Sequence, residues 1–114
     1  MNKKRRLLKA QLLDERRTCD WCGEMLGHDT DMHEWLVKRH VLPGDSRVMD
    51  ERNCALLHHA CHMAHGRSTV LTQQLAALFV RRYGKECMLD FINNLNLRSC
   101  CEYTNLISRQ EEWR

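Results

Sequence analysis

Residues 53–66 read NCALLHHACHMAHG, which places four histidines and two cysteines within fourteen positions. A hydrophobic core has little use for so many metal-binding side chains, whereas small domains often supplement a modest core with a metal. Cys19-Asp20-Trp21-Cys22 sets two further thiols three apart, and His58 and Cys61 repeat that offset. Zinc takes four tetrahedral ligands of thiolate and imidazole type. Two knuckles giving two ligands each make such a cage, and the cost of closing the intervening loop rises only slowly with its length. A structural zinc held by Cys19, Cys22, His58 and Cys61 is therefore expected. Cys54, Cys87, Cys100 and Cys101 fall into no partner pattern and read as packed or exposed thiols.

At 114 residues the chain is the size of one domain, and 43% hydrophobic content is that of a globular protein. The formal charge of +3 says less than its distribution. Lys3, Lys4, Arg5, Arg6 and Lys9, followed by Arg16 and Arg17, form a basic arm suited to a polyanion. Charged and polar residues interrupt the apolar ones after this basic start, so it does not read as a signal peptide, and no run reaches membrane-spanning length. The seven cysteines then read as free or metal-bound thiols in a reducing, cytoplasmic setting with no membrane partner.

Apolar periodicity predicts a helix over residues 3–17, with Leu8 and Leu12 on one stripe widened by Leu7 and Leu13. The Cys19 knuckle follows, then a turn at 27–30 and a strand over 31–37. Residues 42–45 hold the only proline and read as a turn; 47–52 read as loop. A second strand is expected over 54–57, and a helix from about His59 to Gly66 as its C-cap. Ser68 and Thr69 cap a helix over 70–83, Gly84 breaks it, and 86–95 form another with Cys87, Met88, Phe91, Ile92 and Leu95 on one face. Beyond 96 the pattern is weak except around 100–107. The expectation is a small α+β fold with three parts: a basic helix (1–18), a central unit (19–66) and a helical extension (67–114).

Once His58 and Cys61 are given to zinc, His59, His62 and His65 remain. At about 100° per residue, positions 58, 61, 62 and 65 share an arc of about 100°, with 59 off it. His62 and His65 can then face another partner, for which His33 and Glu34 are the candidates. Imidazole plus carboxylate is a hydrolytic set: one group binds a divalent ion and another takes a proton from water.

His33-Glu34, Asn53 and Leu57-His58-x-x-Cys61-His62, with the upstream cysteine pair, resemble the HNH endonuclease family. The resemblance covers about residues 19–66. It implies a ββα-metal core with zinc knuckles and a metal-dependent endonuclease that cleaves DNA to leave 5′ phosphates, by nicking or double-strand cutting. It also implies a bacterial, phage-encoded setting. By position, His62 would be a ligand of the catalytic divalent ion (Mg²⁺, Mn²⁺, Ni²⁺ or Zn²⁺), and Asn53 would hold the loop between strand and helix by side-chain hydrogen bonds. His33-Glu34 occupies the place of the first pair, and two registers stand open. In one, His33 binds the metal and Glu34 is the base; in the other, His33 is the base and Met32, or Asp31 in its stead, takes the metal position. A role for His65 is open, and His28, His40 and His59 read as surface histidines. Lys38, Arg39, Arg47, Arg52 and Arg67 are candidate phosphate contacts. Two other readings compete: a zinc-stabilised nucleic-acid-binding module without catalysis, and an accessory protein whose C-terminal helices dock on a phage packaging complex.

Overall fold

The structure is a computed structural model and describes residues 3–111. The chain runs through α1 (Lys3–Arg16), β1 (Thr30–Glu34), two 3-10 turns (Ser46–Met49 and Glu51–Asn53), β2 (Cys54–His58) and α2 (His59–His65). It continues through α3 (Thr69–Tyr83), α4 (Lys85–Leu95), a 3-10 turn (Arg98–Cys100) and α5 (Cys101–Ser108). This is a small α+β arrangement of one two-stranded antiparallel sheet and five helices. Among the described residues no helix is long and apolar enough to cross a membrane.

The sheet register decides where the chemistry goes. Thr30 lies opposite His58, Met32 opposite Leu56, and Glu34 opposite Cys54. Side chains alternate between faces along a strand. Thr30, Met32 and Glu34 therefore share one face with Cys54, Leu56 and His58; Asp31 and His33 share the other with Ala55 and Leu57. Helix α1 covers the first face: Leu12 is fully buried against Met32, Cys54 and Leu56, with Leu8 and Leu13 packed alongside. On the second face, Ala55 and Leu57 join a larger core with Leu71, Leu75 and Phe79 of α3, Met88 and Ile92 of α4, and Ile107 of α5. That core runs continuously from the cysteine knuckle into the C-terminal helices.

Strand β1 is shorter than the sequence pattern suggests. It ends at Glu34, and Trp35, Leu36 and Val37 continue as a buried loop. The apolar run still marks burial, but β2 begins at Cys54, so no strand lies opposite to pair with it. Trp35 instead packs edge-on against Phe79 and Tyr103, at ring separations of 5.3 and 6.0 Å. The predicted loop over 47–52 is largely two 3-10 turns, capped by Asp45 and Asp50, whose carboxylates accept the Arg47 and Arg52 backbone N–H. Helix α5 is the element least marked in the sequence, because only Ile107 is fully buried and Tyr103 and Leu106 partly so.

Candidate functional site

The two knuckles close on each other. The sulfurs of Cys19, Cys22 and Cys61 and a ring nitrogen of His58 all lie within 4.8 Å of one another. His58 Nδ1 is 3.3 Å from Cys22 Sγ and 4.0 Å from Cys61 Sγ. Ligands around one tetrahedral ion, at about 2.3 Å for sulfur and about 2.0 Å for nitrogen, lie roughly 3.5–3.8 Å apart, so these spacings suit a metal ion such as zinc. The backbone sets the cage. The turn at Cys19 is closed by Gly23 N–H donating to the Cys19 carbonyl (3.0 Å), with Gly23 at φ 79°, a conformation that favours glycine. His58 Nε2 lies 2.8 Å from the Met25 carbonyl. Donation there leaves Nδ1 with its lone pair aimed at the sulfurs, which is how an outer-shell partner prepares a histidine ligand.

The donors are crowded enough to disturb one another. Burial opposes a thiolate at Cys19, but the backbone N–H groups of Cys22, His58 and Trp21 outweigh it and bring the thiol down to about 7. Burial, and then the neighbouring Cys19, push Cys61 up to about 12. A divalent cation relieves this conflict by taking the place of the protons.

Asp20, between the knuckle cysteines, anchors the cage to the fold. Its buried carboxylate accepts the Leu56 backbone N–H at 2.9 Å and an Arg82 N–H at 3.2 Å. Gln74 donates to the carbonyls of Asp20 (2.7 Å) and Trp21 (2.9 Å). Arg16 is 95% buried at its side chain and donates to the Cys54 and Glu51 carbonyls and to the Tyr83 hydroxyl. Counted with the basic arm in the sequence, it is in place a structural residue.

A second cluster lies across α2. His33 and His62 meet edge to face with ring centres 5.0 Å apart. Asp31, on the same face of β1 as His33, sits behind them: its Oδ2 is 2.9 Å from His62 Nδ1 and 2.8 Å from His59 Nδ1. With Nδ1–H donating to Asp31, His62 presents Nε2 as the open ring nitrogen. Gly66 makes room for this ring. A Cβ there would stand 2.5 Å from the His62 carbonyl oxygen and 2.9 Å from its Cδ2. Burial, and then the positive charges of Lys38 and His62, bring His33 down to about 3. Its imidazole is therefore neutral, with a lone pair available, at physiological pH.

Glu34 points to the other face. It is buried beneath α1, where Oε2 pairs with Arg5 Nη1 at 2.5 Å and Oε1 accepts the Arg39 backbone N–H at 2.8 Å. Arg5 also donates to the Met32 carbonyl, and the Lys38 ammonium rests on the Glu34 carbonyl. A cleft of about 220 Å³ between these groups is lined by both histidines together with Arg5, Met32, Glu34, Lys38, Arg39 and His40.

Asn53 is completely buried and uses all of its capacity. Its Oδ1 accepts the N–H of Leu36 and Val37, each at 2.9 Å, and its Nδ2 donates to the carbonyls of Val37 (2.8 Å) and Val48 (2.9 Å). The buried loop 35–37 lacks strand partners, and buried backbone polar groups need pairing. Asn53 supplies it.

The structure divides the remaining candidates. Lys38, Arg39 and Arg67 line cavities at the histidine pair. Arg47 and Arg52 do not: each forks onto a carboxylate two residues before it, Asp45 and Asp50, and reaches towards α4 through the Asn94 carbonyl and the Phe91 ring. His65 stacks on Trp21 at 4.1 Å and lies with the knuckle rather than with His33. His59 is exposed, as expected for a surface histidine, yet it converges on Asp31. His58 closes β2, so the helix begins one residue later than an arc drawn from 58 assumes. Asp31, read in one register as standing in the metal position, contacts His59 and His62 through its Oδ2, and alternation along β1 was the signal that sets it on the His33 face. Comparison with protein-family models, curated proteins and solved structures finds no match.

Proposed function

We propose that this protein is a metal-dependent DNA endonuclease of the HNH type, with the β1–β2–α2 unit as its ββα-metal core and a structural zinc at Cys19, Cys22, His58 and Cys61. The observation that carries the reading is the convergence of His33 and His62, backed by Asp31, in a cleft rimmed by cations. Two imidazoles sharing one tetrahedral ion, at about 2.0–2.1 Å per bond, put their ring centres roughly 5 Å apart, and 5.0 Å separates this pair. His33 and His62 would hold the catalytic cation, which when bound supplies Lewis acidity at the scissile phosphate. Such a cation commonly completes its coordination with water and phosphate oxygens.

The chain's own groups have separable tasks. Asp31 fixes the His62 ring, and Gly66 leaves that ring its space. His33 stays neutral, as either a ligand or a proton acceptor must. Glu34 acts as a latch between α1 and the 35–39 loop; where it borders the cleft its two oxygens are engaged by Arg5 and by the Arg39 backbone N–H. Water attacks phosphorus and gives a proton up to the surrounding water, the bond between phosphorus and the 3′ oxygen breaks, that oxygen takes up a proton and leaves as a 3′ hydroxyl, and a 5′ phosphate remains.

Nicking of supercoiled plasmid in Mg²⁺, Mn²⁺ or Ni²⁺ tests this. His33→Ala and His62→Ala should each lose about 10²-fold or more while keeping their zinc. Glu34→Gln, which retains the hydrogen-bonding shape, should stay within several-fold of wild type. Equal loss in Glu34→Gln and His33→Ala would return the base role to Glu34. DNA binding without cleavage in any divalent ion would leave a zinc-stabilised binding module.

A further inference from the structure

The histidine cleft is the middle of three adjoining cavities. On one side it shares His33, Lys38 and His62 with a cavity of about 800 Å³ that opens between α2 and the start of α3, where Arg67 and Ser68 form the wall. On the other it shares Arg5 and Arg39 with a hollow of about 280 Å³ between α1 and the 42–49 segment, floored by Leu42 and Pro43. The three form a track with the imidazole pair part-way along it. Its cationic side chains are Arg67 at one end, Lys38 at the centre, and Arg39, Lys4 and the Glu34-bound Arg5 towards the other. Its two carboxylates, Glu34 and Asp45, are each paired with an arginine. Among the described residues Arg67 makes no ion pair, and Arg39 approaches Glu34 only at 3.9 Å.

We propose that one DNA strand lies along this track, with its scissile phosphate at His33 and His62, phosphates on either side at Arg39 and Arg67, and the nucleotide beyond Arg39 against Leu42 and Pro43. The proposal rests on the nuclease reading for the identity of the central phosphate, but the track itself follows from cavity continuity and charge. A phosphodiester chain carries its charge at every nucleotide, so cations spaced along a continuous groove match it along its length. A track open at both ends takes an internal phosphodiester, whereas a closed end would select a terminus. Arg47 and Arg52, equally basic in the sequence, face α4 and lie outside the lining of the histidine cleft.

The test is the salt dependence of binding, read by fluorescence anisotropy of a fluorescein-labelled DNA duplex in a His62→Ala background that leaves the DNA whole. Each phosphate contact contributes about 0.9 to the slope of log K against log salt. Arg39→Gln and Arg67→Gln should each lower the slope by about that amount; both residues are exposed, so the fold is retained. Arg52→Gln, whose partner Asp50 lines none of the three cavities, should leave it unchanged. Cleavage of circular single-stranded DNA, which has no ends, should accompany this pattern in the wild-type protein. A slope lowered by Arg52→Gln and not by Arg39→Gln or Arg67→Gln overturns the track, and so does degradation confined to free ends. The expected slopes with no cleavage of any substrate uphold the track and overturn the nuclease reading alone.

Discussion

Replacing Asn53 with alanine should be among the costliest single changes in this protein. The side chain is fully buried and makes four hydrogen bonds, so truncation strands two backbone N–H groups, of Leu36 and Val37, and two carbonyls, of Val37 and Val48. A buried polar group left unpaired costs about 1–3 kcal/mol. Four such groups give about 4–12 kcal/mol; if water entering the vacated space re-pairs half of them, about 2–6 kcal/mol remains. Domains of this size have about 5–15 kcal/mol in total. Urea unfolding followed by far-UV circular dichroism, with zinc saturating, measures the loss. Asn93→Ala, an exposed control on α4, should stay within about 0.5 kcal/mol. Asn53→Asp keeps the acceptor for both N–H groups and should fall between wild type and Asn53→Ala. Because the same loop leads into Lys38, cleavage should drop with the loop's order while zinc stays bound. A loss under about 1 kcal/mol in Asn53→Ala, with an unchanged denaturant slope, would refute the view that this side chain pairs the loop.

The metal cage predicts one zinc per chain by metal analysis; Cys22→Ala should abolish retention of the ion and, with it, cooperative unfolding, and a folded zinc-free protein would contradict this. Gly66→Ala should displace the His62 ring, because the new Cβ would meet its carbonyl oxygen at 2.5 Å and its Cδ2 at 2.9 Å. Nicking should fall at least tenfold with zinc content unchanged, and wild-type activity would show that the ring's position does not matter. Arg16→Lys preserves charge but not the planar fork that reaches two carbonyls and the Tyr83 hydroxyl. It should cost about 2 kcal/mol or more in urea unfolding, with DNA affinity unchanged in the folded protein.

The cluster of Cys19, Cys22, His58 and Cys61 was legible from spacing alone, because residues that could share one tetrahedral ion recur at short, repeated intervals. The helices were legible where an apolar stripe is long, as in α3 and α4, and poorly so in α5, which buries little. What spacing could not show is pairing across the chain. Arg16 reads as part of a basic arm, yet its partner Tyr83 is 67 residues away. Arg5 reads as a phosphate contact and instead clamps Glu34, 29 residues on. Arg47 and Arg52 each follow an aspartate by two positions, a local cue to self-pairing that the count of positive charges conceals. At β1, reading His33 and Glu34 as neighbours in sequence obscured the period of two, which separates them and joins His33 to Asp31.

Helix α2 explains why the cage and the cleft belong to one device. It has seven residues and none is fully buried, so no apolar face holds it down, and a helix this short is not stable by itself. Its position depends on polar attachments along two flanks. On one, Cys61 meets the other three cage ligands and His65 stacks on Trp21, which lies between the knuckle cysteines. On the other, His59 and His62 both converge on Asp31 of β1. Cys61 and His62 are adjacent, so the helix turns one towards the cage and the next, about 100° further round, towards His33. A metal held on the first flank would therefore set the rotation of the helix and thereby the direction of the His62 ring. The cage would then do more than staple a small domain: its geometry would be handed across one peptide bond to the proposed reaction centre.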